Sequence, residues 1–87
     1  MENEQTQVLY AFPRAKGEEI QISLRKFKGK FYIDLRLWFQ AKEDSTLHPT
    51  KKGVFFSLER LPELRKGIDR LSKAAEKLRF SESTAEA

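Results

Sequence analysis

Residues 20–39 read IQISLRKFKGKFYIDLRLWF, and the fold can be worked out from this stretch. Two runs of alternation flank Lys28-Gly29. In the first, Ile20, Ile22 and Leu24 fall on one side, and Gln21, Ser23, Arg25 and Phe27 on the other. In the second, Phe31, Ile33, Leu35, Leu37 and Phe39 oppose Lys30, Tyr32, Asp34, Arg36 and Trp38. A period of two is that of a strand with one buried face. Two such runs joined by a residue and a glycine make a hairpin, because glycine takes the positive φ that the tight turn demands.

Working outward, Val8-Leu9-Tyr10-Ala11-Phe12 is an apolar run closed by Pro13, with a turn at Lys16-Gly17, and reads as a first strand ending near Phe12. On the other side, Gln40 to Thr50 is polar, contains Pro49 and reads as a long connection. Lys51-Lys52-Gly53 then leads into a short fourth strand, Val54-Phe55-Phe56. Beyond it the period changes to 3.6. Leu61, Leu64, Ile68, Leu71, Ala75 and Leu78 form one stripe of an amphipathic helix. Ser57 is a good cap for it, whereas Pro62 favours a start near Leu61; we place the start at Ser57, with the first turn loosened by the proline.

The expected class is therefore α+β: a four-stranded twisted antiparallel sheet followed by one long C-terminal helix, whose stripe beds on the apolar rows of the hairpin. The domain spans 7–80, between a disordered N-terminus at 1–6 and a disordered acidic tail at 81–87. The core of an 87-residue chain is thin. The helix stripe also runs further than a sheet of about 20 Å can cover. A homodimer joined through Leu71, Ala75 and Leu78 follows as an expectation.

Composition narrows the chemistry. The chain has no cysteine and one histidine, so disulfides, thiolate metal sites and histidine clusters are excluded. No stretch is long and apolar enough for a membrane span, and the N-terminus lacks the pattern of a secretion signal. A cytoplasmic or nucleoid-associated protein is expected. Asp34, between cationic neighbours, reads as an ion-pair partner of Arg25 or Arg36 rather than a catalytic acid. The glycines are isolated and form no phosphate loop. No catalytic residues, metal or cofactor are expected.

Charge points to a binder. The net charge is +4, but residues 25–53 carry +5 and residues 54–80 carry +3, between ends of −2 each. On the polar side of the hairpin, Arg25, Phe27, Lys30, Tyr32, Arg36 and Trp38 interleave rings with cations, and Lys28 stands at the turn. Single-stranded nucleic acid needs that combination: unpaired bases stack on rings while cations follow the phosphates. A duplex hides its base faces. The alternatives are RNA on the same surface, or a basic sheet docking an acidic protein partner.

Residues 22–36 with their Phe-Lys-Gly-Lys hairpin and Ile-Asp-Leu-Arg strand, then Pro49-Thr-Lys-Lys-Gly53 before a short strand and a helix, resemble the C-terminal domain of the transcriptional coactivator positive cofactor four and its compact bacterial relatives. The likeness spans about residues 8–78. It implies a homodimer paired through helices and strands, with grooves for single-stranded DNA or melted duplex. It places Phe27, Lys28 and Lys30 on the hairpin, Arg36 on the third strand, and Lys51 and Lys52 before the fourth strand at nucleic-acid-contacting positions. The tryptophan of the family falls at Phe39 here, with Trp38 beside it, which leaves open which of the two rings stacks on bases. The absence of the long serine- and lysine-rich regulatory region favours a stand-alone, bacterial-type single-strand binder.

Overall fold

The computed structural model describes residues 5–81, with side chains described for 5–79. Four strands, β1 (Gln5–Ala15), β2 (Glu18–Phe27), β3 (Lys30–Gln40) and β4 (Leu47–Ser57), form one antiparallel meander in the order β1-β2-β3-β4. A 3₁₀ turn, Leu58–Arg60, joins β4 to the helix α1 (Leu61–Ser81). Gln5 and Thr6 open β1 and Ser81 closes α1; the remainder of the segments 1–6 and 81–87 lies outside the described residues.

The hairpin has the register its alternation dictates. Pairs run unbroken from Phe27↔Lys30 to Glu18↔Phe39. Lys28 and Gly29 take φ of 53° and 78°, the paired left-handed conformations that match the twist of a two-residue turn. Ile20↔Leu37, Ile22↔Leu35 and Leu24↔Ile33 fall on one face, joined there by Tyr10 and Phe12 of β1 and by Val54 and Phe56 of β4. Among the described residues, Ile33 and Leu37 on this face are the buried apolar pair.

Both outer strands are longer than their apolar runs suggest, and both are interrupted. β1 continues through Pro13 and carries register shifts between Val8 and Tyr10 and between Pro13 and Ala15. In β4, Leu47, His48 and Pro49 already pair with Gln40, Phe39 and Trp38, so both ends of the expected long connection are strand and only residues 41–46 link them. The actual link is a short turn around Asp44. Its carboxylate accepts hydrogen bonds from the Thr46 amide (3.1 Å) and hydroxyl (2.8 Å), which hold its pKa below the ordinary carboxylate value.

The placement of the helix corrects the expected packing. Ser57 does cap, its hydroxyl accepting from the Glu59 amide, but it caps the 3₁₀ turn, and the α-helix begins at Leu61 with Pro62 in its first turn. Leu61 already has αR geometry, so no loop separates turn and helix. α1 therefore continues in the direction set by the 3₁₀ turn, which rests on β3, and does not fold back over the apolar rows; its contacts beyond that turn are marginal among the described residues. Ile68, Leu71, Ala75 and Leu78 remain exposed, Leu71 at 68%.

Candidate nucleic-acid interface

The face of the sheet opposite the apolar rows gathers most of the charged and aromatic residues singled out above. Pairing places Arg25 beside Tyr32, Phe27 beside Lys30, Asp34 beside Phe55, Arg36 beside Gly53 and Trp38 beside Pro49. At the hairpin tip, Phe27 is exposed and Lys28 Nζ lies 5.3 Å from its ring centre, so a cation and a stacking surface are offered together.

Asp34 organises the middle of this face. Its buried carboxylate accepts from Arg25 Nη1 at 2.9 Å and from Arg36 Nε at 3.0 Å. One carboxylate thus orients two guanidinium groups and leaves the cluster with a net positive charge. Charge-assisted bonds of this kind are about twice as strong as neutral ones.

The Arg36 guanidinium extends the order into β4. Its Nη1 donates to the Thr50 carbonyl at 3.0 Å. The Thr50 hydroxyl donates to the Leu37 carbonyl at 2.8 Å and accepts from the Lys52 amide at 3.1 Å. Between the pairs Arg36↔Gly53 and Trp38↔Pro49, β4 spends two more residues than β3. This bulge presents Lys51 and Lys52 to solvent, and the Thr50 bonds hold it in shape. Gly53 closes it by passing so near Leu35 and Arg36 that a side chain would overlap the Leu35 carbonyl oxygen.

The bulge lies wholly in β4, so the alternation of β3 survives to its end. Trp38 stays on the same face as Arg36, half-buried. Phe39 turns to the opposite face, where its ring centre lies 5.7 Å from that of His48. Arg25, Phe27, Lys30, Tyr32, Arg36 and Trp38 are thus brought together, with Lys28 and the Lys51-Lys52 bulge at the margins, and Phe39 is not. Two residues escaped the sequence reading. Phe55 sits on the charged face, its ring nearly parallel to Tyr32 (17°) with centres 4.8 Å apart, and Arg25 Cζ lies 5.0 Å from its centre. Thr50 was hidden because its role is purely one of support. The alternation Val54, Phe55, Phe56 is the available signal for Phe55: a strand whose outer two turn to the apolar side must present the middle one on the other face.

Such a face can stack planar rings and hold anionic groups along one path. The family model described as Transcriptional Coactivator p15 (PC4) matches residues 14–67, more than half of the chain. The chain belongs to this family. The PC4 match begins ahead of β2 and ends in α1, so it takes in the hairpin, the Asp34 cluster and the bulge. Among solved structures, the chain is similar to the bacteriophage T5 homolog of the eukaryotic transcription coactivator PC4, a protein implicated in recombination-dependent DNA replication. The identity is 24%, the TM-score 0.63, and the match covers 95% of this chain and 92% of that one. That likeness establishes a shared fold. PC4-type domains are non-catalytic, and this chain is accordingly not an enzyme.

Proposed function

We propose that this PC4-family chain is a homodimeric, sequence-independent single-stranded DNA-binding protein that supports transcription or DNA replication and repair at the nucleoid. The observation that carries the reading is the union, on one open sheet face, of the Phe27, Tyr32 and Trp38 rings with Lys30 and Arg36, the exposed Lys51-Lys52 bulge standing at its margin. Rings on such a face are worth about 1–3 kcal/mol per stacked base, and each neutralised phosphate adds an ionic term that weakens with salt. The T5 protein, implicated in recombination-dependent DNA replication, lends support to the replication side of the proposal.

The dimer is argued from what α1 leaves uncovered. Ile68, Leu71 and Leu78 are each more than half exposed, and full burial of such a side chain stabilises by about 1.5–3 kcal/mol. A second copy covering the stripe through Leu71, Ala75 and Leu78 would recover much of that and line up two charged faces.

The test is binding of oligo-dT, oligo-U and an equal-length duplex across a salt series. The proposal expects oligo-dT to bind far more tightly than duplex and to quench the fluorescence of Trp38, the sole tryptophan. Preference for oligo-U over oligo-dT would move the function to RNA. Equal, weak binding to all three would leave an acidic protein partner as the better reading.

A further inference from the structure

Phe55 has a place in the molecule that packing does not account for. Its neighbours Val54 and Phe56 face the apolar side, while Phe55 stands on the charged one, opposite Asp34. With Tyr32 stacked against it and Arg25 over its ring, it is still 45% exposed. Rings on the apolar face are as exposed (Phe12 42%, Phe31 43%), so what sets Phe55 apart is the charged face it stands on and the Tyr32 and Arg25 contacts that fix its orientation.

Its location is also informative. Phe27 ends β2, Tyr32 lies on β3 and Phe55 on β4, so the three rings cross the sheet from the hairpin toward the Lys51-Lys52 bulge. Phe27 is level with Lys30, Tyr32 lies two residues further along β3 and Phe55 is opposite Asp34, two further again, so a path that meets one ring per strand crosses the sheet diagonally. Phe55 bridges the two groups of cations that the sequence presents separately, Lys28 and Lys30 on one side and Lys51 and Lys52 on the other. Beside Tyr32 there is an open depression of about 600 Å³, bordered by Gly29, Lys30, Phe31, Ser57, Leu58 and Glu59; Phe55 lies outside its lining.

We infer that Phe55 is a base-contacting residue, and that Tyr32 and Phe55 form a preassembled two-ring step against whose exposed side unpaired bases pack. The inference rests on the single-strand reading above and adds to it a residue and a path. The near-parallel rings are ordered before any ligand arrives, so the entropy of fixing them is not charged to binding. The Arg25 guanidinium, tied down by Asp34, holds positive charge beside the step, where the backbone of a stacked strand would pass.

The experiment uses the whole protein and oligo-dT. Phe55→Leu keeps an apolar strand residue but removes the ring, and should weaken binding about 5- to 150-fold, the range that corresponds to one lost base stack. The salt slope should not change, because no phosphate contact is lost. Phe27→Ala is measured in parallel. Loss at Phe27 with a folded F55L variant at wild-type affinity overturns the step and leaves the groove standing. Wild-type affinity in both variants removes the single-strand reading itself. Photocrosslinking of the unmodified protein to 5-iodouracil-substituted oligo-dT decides the matter even if F55L does not fold. An adduct on Phe55 in the tryptic peptide 53–60 confirms direct contact, and adducts confined to other peptides overturn it.

Discussion

Replacing Gly53 by alanine tests whether the β4 bulge is a built part of the binding face. A Cβ at this position would overlap the Leu35 carbonyl oxygen and lie 2.8 Å from Arg36 Cα. Both are backbone atoms of β3, which is held on its other side by β2 and has no freedom to withdraw. The strain must be relieved by β4, an edge strand, moving away at the Arg36↔Gly53 pair. Forcing an extra methyl into a filled site costs about 1–3 kcal/mol. For a domain of this size each kcal/mol lowers Tm by about 4–8 °C, so a fall of roughly 5–20 °C is expected by circular dichroism. The same displacement carries Lys51 and Lys52 off the path, and the salt slope for oligo-dT should drop by up to about 1.4, or about 0.7 for each of two phosphate contacts. Gly67→Ala provides the opposite sign: nothing lies within 4 Å of its added methyl, and it should stabilise the helix by up to about 1 kcal/mol. A G53A protein with wild-type Tm and salt slope would refute the argument that this close approach shapes the bulge.

Single alanine substitutions of Lys28, Lys30, Arg36, Lys51 or Lys52 should each lower the single-strand salt slope by about 0.7, while Lys42→Ala and Lys73→Ala leave it unchanged; equal effects in both sets would mean diffuse attraction with no path. Phe27→Ala should show the converse, a loss of about 1–3 kcal/mol in oligo-dT affinity with slope and melting temperature near wild type. Sedimentation equilibrium at micromolar concentration should return twice the chain mass, and Leu71→Asp should return a monomer; a wild-type monomer would remove the paired-face proposal. Asp34→Asn leaves two half-buried guanidinium groups without their carboxylate and should destabilise by about 2 kcal/mol in chemical denaturation, part of the larger penalty for a fully buried pair being relieved by solvent at Arg25 and Arg36.

The hairpin and its two faces could be read from residues 20–39 because alternation is a local signal and Lys28-Gly29 fixes the register. Arg25, Phe27, Lys30, Tyr32, Arg36 and Trp38 were placed on one face by that signal alone, and the structure keeps them there. The role of Asp34 was readable as well, since a carboxylate between cations has little else to do; that it holds both arginines at once needed coordinates. What was not readable depends on pairing between distant segments. Leu47, His48 and Pro49 look like loop because proline and polar residues mask a strand whose hydrogen bonds come from β3. The direction of α1 turns on three residues of 3₁₀ geometry, and the stripe on the helix states that an apolar surface must be covered without saying by what. Phe55 is not legible from the sequence because three apolar residues in a row look uniformly buried until the strand is given two faces.

The interruptions in β1 and β4 bear on how such a chain stays dispersed. It displays apolar surface on α1 and on one side of its sheet, together with two outer strands that pair with no further strand among the described residues. Uninterrupted, those rims would offer templates on which sheets could join into ribbons without end. Pro13 removes a donor from one rim, the shifts at Leu9 and Arg14 twist it out of line, and Pro49 with the Lys51-Lys52 bulge does the same at the other while adding charge that repels a neighbour. Growth through the rims, which has no stopping point, is thereby discouraged.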